Sequence, residues 1–176
     1  MDPVIVVCGL IFNESGKVLM TKRLPNKLRP GMWEMPGGKL DEGDRVRTAA
    51  GNIVSTAEQG PAAARLMRRP QADPLHAMAL RRELREELGV RVSVGPLVAE
   101  AHFDWDGPAD LFLYHSIILG DDDPKPLEAD DLQWFNMRDA LANLPMCPAQ
   151  YTFYPKVMSY IAEMQKILAD VRVLFP

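Results

Sequence analysis

Three glutamates, Glu83, Glu86 and Glu87, stand in the run ALRRELREELGV from Ala79 to Val90. On a helix turning by roughly 100° per residue they fall within about one quarter to one third of the circumference. Ala77, Leu80, Leu84 and Leu88 make an adjacent apolar stripe, and Arg81, Arg82 and Arg85 take the remaining arc. Carboxylates one turn apart repel by about 3 kcal/mol per pair at ~5 Å and an effective dielectric of ~20, less where solvent and arginines screen them. Hard oxygen donors grouped in this way suit a hard divalent cation, Mg²⁺ or Mn²⁺. Taken alone, the run also reads as a solvated, salt-bridged surface helix. What the chain sets beside it decides its chemistry.

The helix has its own start and stop. Asp73 followed by Pro74 offers an N-cap and a first-turn proline, and Gly89 a C-terminal glycine, so a helix is expected from Pro74 to Leu88. His76 then falls in its first turn and is expected at the surface. Upstream, Val4 to Phe12 is rich in Val and Ile and closes on Asn13-Glu14-Ser15-Gly16, which predicts a buried strand; Lys17 to Arg23 returns from it, making a hairpin. Leu24 to Pro30 is irregular and lies in a basic neighbourhood with Lys22, Arg23, Lys27 and Arg29. Trp33-Glu34-Met35-Pro36 then enters the double glycine Gly37-Gly38, where backbone can approach a ligand closely. Downstream, strands are expected over 91–98, continuing through a bend to Asp104, and over 109–119, with a turn at Trp105-Asp106-Gly107-Pro108 between them. Gly120 to Pro126 reads as a solvated loop, triple aspartate included. A strand ending at Phe135, a short helix from Met137 to Leu144, an amphipathic helix from Tyr151 to Ala169 and an extended tail over 171–175 complete the chain.

At 176 residues and 47% hydrophobic the chain can bury one full core, and a net charge of −4 gives no basic footprint for a nucleic-acid polymer. No run of eighteen apolar residues is present and Met1-Asp2-Pro3 lacks a basic leader, so a cytoplasmic protein with no membrane partner is expected. Cys8 and Cys147 match no ligand spacing or disulfide framework and read as buried or loop thiols. His102 and His115 also lack ligand spacing and read as sheet residues.

Gly38, five residues, Asp44, then Arg82-Glu83-Leu84-Arg85-Glu86-Glu87-Leu88-Gly89-Val90 resemble the two halves of the signature of the Nudix hydrolases, G-x5-E-x7-R-E-U-x-E-E-x-G-U with U aliphatic. The second half matches at every specified position; the first has Asp44 where the family has Glu. The interval differs more: 37 residues, Arg45 to Arg81, stand where the family has seven. Residues 45–73 thus read as an insertion of about thirty residues inside the motif of a single domain spanning 1–176, with a short helix expected at 62–69. Arg23 and the run Trp33 to Lys39 are similar to the MutT type of the family.

The resemblance implies an α/β Nudix fold, a mixed β-sheet in an α/β/α sandwich, acting as monomer or homodimer on a small-molecule nucleotide. It implies a cation, Mg²⁺ or Mn²⁺, held by Glu83, Glu86, Glu87 and a backbone carbonyl at Gly37 or Gly38. It further implies a proton acceptor, Glu83 or a loop acid for which Glu128 is the candidate and Asp130 or Asp131 the register alternatives. Arg23 and Lys39 are the phosphate-contacting candidates. Gln150 stands where the MutT type has a base-reading Asn, though a helix cap is an equal reading of it. The activity implied is pyrophosphohydrolysis of an NTP or dNTP, an oxidised purine form included. The alternatives are another nucleoside diphosphate-X substrate, such as ADP-ribose, a nucleotide sugar or a dinucleotide polyphosphate, and a non-catalytic nucleotide-binding module.

Overall fold

A computed structural model describes residues 2–44, 69–104 and 107–174. Residues 45–68, which hold most of the expected insertion and its short helix, lie outside them, as do Trp105 and Asp106 of the expected turn. In chain order come β1 (Val4–Ile11), β2 (Val18–Lys22), β3 (Trp33–Glu34), β4 (Gly37–Lys39), α1 (Pro74–Leu88), β5 (Val92–Asp104), β6 (Pro108–Ile118), β7 (Asp131–Phe135), α2 (Met137–Asn143) and α3 (Pro148–Leu174). The strands form two sheets, ordered β4-β1-β6-β5 and β3-β2-β7. β1 is parallel to β6 and antiparallel to β4, so the larger sheet is mixed.

β1 is apolar on both faces because helices cover both. Val7 and Ile11 join Leu19, Leu80, Leu84 and Leu88 on the α1 side. Cys8 and Leu10 join Met20, Phe153, Val157 and Tyr160 on the α3 side, as the two-residue period of a strand requires. A Cβ on Gly9 would stand 3.3 Å from Leu84, so α1 lies close on the sheet. Leu80, Leu84 and Leu88 are fully buried there, each contributing roughly 1.5–3 kcal/mol. The apolar stripe, set by the heptad-like spacing of local sequence, thereby fixes which way the neighbouring acids face.

Several expectations are corrected. β1 and β2 are joined by a tight turn, with Asn13 N–H donating to the Lys17 carbonyl at 3.0 Å and a bridge between Phe12 and Val18, yet they do not pair as a hairpin along their length. β4 and β6 occupy both edges of β1, so β2 pairs instead with β3 and β7. The bend expected near residue 98 is a pair of register shifts between Val94 and Ala99 within one strand, β5. The closing helix begins three residues earlier than expected, at Pro148, and runs through Leu174; no glycine or proline interrupts 156–174, so nothing turns 171–174 into a tail. His76 is half-buried rather than superficial, its ring centroid 4.5 Å from that of Phe112 and its Nδ1 2.8 Å from the Tyr114 hydroxyl. Both cysteines are buried and free. Among the described residues no helix is long and apolar enough to cross a membrane.

Candidate functional site

α1 is capped as its sequence requires. Asp73 accepts from the N–H of Leu75 at 2.8 Å and of His76 at 3.4 Å, and Gly89 takes the left-handed C-cap conformation. Glu83 and Glu87 are turned by this helix onto Gly37 and Gly38, the first residues of β4, which pairs with β1, Gly38 opposite Val7 and Gly37 opposite Cys8. The Gly37 N–H donates to Glu87 Oε2 at 3.1 Å. A Cβ on Gly38 would overlap the Glu83 carboxylate, and one on Gly37, at φ 148°, would overlap the Val7 carbonyl. Both glycines are therefore required by close approach, one to seat a carboxylate and the other to seat the strand.

Arg82 ties the two halves of the motif together. Its Nε and one terminal nitrogen form a fork on Asp44, at 3.1 and 3.0 Å. The same terminal nitrogen donates to the Lys39 carbonyl at 2.9 Å, and the other to Glu83 Oε1 at 2.8 Å and Glu86 Oε2 at 3.1 Å. Asp44 is 1% exposed. It also accepts the Asp41 N–H while Asp41 accepts the Asp44 N–H, both at 3.0 Å, a reciprocal cap for the helical residues 42–44. The shorter Asp thus does two jobs across the interruption. Sequence reading placed Arg82 on the polar arc of the helix and left Asp44 without a partner. Their shared presence in one motif was the available signal.

Glu128 is brought to this group through its backbone. The N–H groups of Leu127 and Glu128 both donate to the Glu87 carbonyl, at 2.9 and 3.3 Å. Asp130 is instead paired with Lys22 at 2.8 Å, and Asp131 accepts from Gln133. Arg23 is engaged elsewhere, its Nε donating to the Leu28 carbonyl and its terminal nitrogen to Glu34, both at 2.6 Å. Lys39 is exposed at the end of β4. Gln150 lies in the first turn of α3 and is 2% exposed, with no hydrogen-bond partner for Oε1 among the described residues. Neither it nor Arg23 is joined by a hydrogen bond to the three glutamates. Glu34 was not foreseen: it is a half-buried acid on β3 that accepts from Arg23 and from the Cys147 thiol.

Burial raises the carboxyl of Glu83 above its ordinary value, with Arg82 opposing the shift, and burial likewise raises Glu34 against Arg23. Glu87 is pushed up to about 8, first by burial, then by the charges of Glu34, Glu83 and Glu128, against the Gly37 N–H. Among the described residues no three His, Cys, Asp or Glu side chains are gathered into a ready ligand set, because Arg82 lies between Glu83 and Glu86. The residues nonetheless fit a hard divalent cation. Their donors are carboxylate oxygens, the Gly38 cradle leaves Glu83 room, and Glu87 carries an electrostatic deficit that a cation would offset.

A pH dependence follows with a definite sign. The folded value of Glu87, about 8, lies above the ordinary 4.5. Its contribution to stability is therefore fully present below the unfolded value and is lost as pH rises through the folded one. In chelator, the melting temperature of the wild type relative to Glu87→Gln is expected to fall by several degrees between about pH 5 and about pH 8. A difference that stays constant with pH in thermal scans would contradict the burial of this acid.

Glu83 and Glu87 thus sit on the two glycines of β4, between the mixed sheet and α1. The NUDIX domain model matches residues 2–51 and 70–157, and the chain belongs to the Nudix hydrolase family. The gap in the match falls inside the expected insertion. MutT Nudix hydrolase from Burkholderia pseudomallei is similar at 20% identity, over 89% of this chain and 99% of that one, with a TM-score of 0.60. A MutT structure from an analysis of the Aliivibrio salmonicida and Vibrio cholerae proteins is similar at 27% identity, over 92% and 99%, with a TM-score of 0.50. A UDP-X diphosphatase is similar at 16% identity, over 91% of this chain and 65% of that one, with a TM-score of 0.58. No curated protein sequence matches the chain. Nudix hydrolases generally use divalent metal ions, and they act on small-molecule nucleotides.

Proposed function

We propose that this protein is a Mg²⁺-dependent nucleoside triphosphate pyrophosphohydrolase that converts an NTP or dNTP and water into NMP and pyrophosphate, with Mn²⁺ as an alternative ion. The observation that supports this reading is the seating of Glu83 on Gly38 and of Glu87 on the Gly37 N–H, with the Arg82 to Asp44 fork beside them. Glu83, Glu86, Glu87 and a carbonyl at Gly38 would hold the ion. When bound, it neutralises phosphate charge and lowers the pKa of a water.

The chain's own residues do the rest. Glu128 takes the proton of the attacking water, Glu83 being the alternative acceptor by motif position. As the water oxygen bonds to phosphorus, the bridging phosphorus–oxygen bond breaks and the two phosphate products separate. Lys39 is exposed and, among the described residues, its side chain is left to meet phosphate oxygens. Arg23 reaches them only by sharing its guanidinium with Glu34. Gln150 Oε1, buried and without a hydrogen-bond partner among the described residues, is the acceptor offered to a purine N–H. An oxidised purine dNTP is the specific substrate favoured by likeness to MutT. The domain is read as one unit over 1–176, with 45–73 inserted.

A panel of NTPs, oxidised dNTPs, ADP-ribose, nucleotide sugars and dinucleotide polyphosphates, with Mg²⁺ or Mn²⁺, tests this by product identity. NMP and pyrophosphate from a triphosphate are expected. Turnover confined to nucleotide sugars or ADP-ribose would replace the reading with that of another nucleoside diphosphate-X hydrolase on the same acids, the class to which the UDP-X diphosphatase belongs by its name. No turnover of any member would leave only the binding module.

A further inference from the structure

The loop over 120–130, of which Gly120 to Pro126 was expected to be solvated, is tied down at both ends. Asp122 accepts three bonds from Arg91: the side-chain Nε and a terminal nitrogen at 3.0 and 2.8 Å, and the backbone N–H at 2.8 Å. Asp130 pairs with Lys22 at 2.8 Å and donates its N–H to the Lys22 carbonyl at 2.8 Å. Arg91 stands two residues beyond Gly89, the C-cap of α1. Between the two ties the loop lies across the end of that helix, where carbonyls otherwise lack partners. Lys125 N–H donates to the Leu88 carbonyl at 3.0 Å, and Leu127 and Glu128 donate to that of Glu87.

Exposed ion pairs are usually weak. This one differs because one carboxylate, its side chain 20% exposed, takes a two-pronged fork and a backbone bond together. The arginine beside it holds Asp122 down at about 2, so the tie persists across the working pH range.

We propose that Arg91 and Asp122 are positioning residues for hydrolysis, strapping the 120–130 loop to the C-terminal end of α1 so that the Glu128 carboxylate is held beside Glu87. This rests on the assignment of Glu128 as proton acceptor. The strap itself does not, because it can be observed without turnover.

The test uses the full chain and two readouts. In Asp122→Ala, backbone amide exchange at Lys125, Leu127 and Glu128 is expected to quicken about tenfold or more, while Leu80 and Leu84 within α1 keep their protection. With the triphosphate turned over fastest in the panel, kcat is expected to fall about tenfold with KM little changed, and Asp122→Ala is expected to add nothing in a Glu128→Gln background. Arg91→Lys, which keeps one ionic bond, falls between wild type and Asp122→Ala. Unaltered amide exchange, or kcat losses that multiply in the double variant, would overturn the strap. A Glu128→Gln enzyme with wild-type kcat would instead overturn the acceptor assignment and the strap's catalytic role with it, a result distinguishable from unaltered exchange.

Discussion

Glu87→Gln is expected to lower kcat by about 10²–10⁴ while raising the stability of the metal-free protein near pH 8. The two effects have opposite signs for one reason. Glu87 is an acid that burial and neighbouring carboxylates oppose in its charged form, and only a cation makes that charge useful. A glutamine keeps an oxygen for the Gly37 N–H, so the turn remains seated. Its loss is the negative charge alone. Steady-state kinetics with a Mg²⁺ titration, beside a thermal scan in chelator, read both effects. The combined Glu86→Gln and Glu87→Gln variant should be at least as inactive; persistence of activity with its metal dependence intact would refute the site assignment.

Arg82→Ala is expected to destabilise the protein by roughly 3–5 kcal/mol, because it takes the guanidinium fork and its positive charge from a buried carboxylate. Asp44 is 1% exposed and takes both prongs of the guanidinium. Removal of the arginine also releases Glu83, Glu86 and the Lys39 carbonyl from a single donor group, so activity falls with stability. Arg82→Lys restores the charge but not the fork and should recover only part of the loss. Urea denaturation with the slope checked for constancy measures it. A loss below about 1 kcal/mol would place Arg82 among ordinary surface ion pairs.

Local features were legible in the sequence. The bounds of α1 follow from Asp73, Pro74 and Gly89, each acting within a turn of its own position, and the structure reproduces them residue for residue. The mixed sheet between helices was implied by the family likeness and is what the strands form. Non-local choices were not legible. β1 and β2 look like a hairpin because their connection is short, but strand partners are settled by which edges remain open after β4 and β6 have paired. Asp122 looks like one of three interchangeable aspartates until the end of α1 is laid against it. Gln150 could be read as a cap or as a base reader, and its burial is decided by packing that no spacing encodes. Arg82 and Asp44 stand between these cases, both marked by the motif, their contact invisible across the interruption.

The fork between Arg82 and Asp44 has a consequence for chain entropy. The two residues are 38 apart, against about eight in the uninterrupted family pattern. Closing a loop of the greater length costs only about 1.4 kcal/mol more, since the penalty grows with the logarithm of length. That is less than the loss expected when the fork is cut. A motif joined by side chains rather than by continuous backbone is thus nearly indifferent to how much chain is spliced between its halves, and this junction is a place where the fold tolerates length.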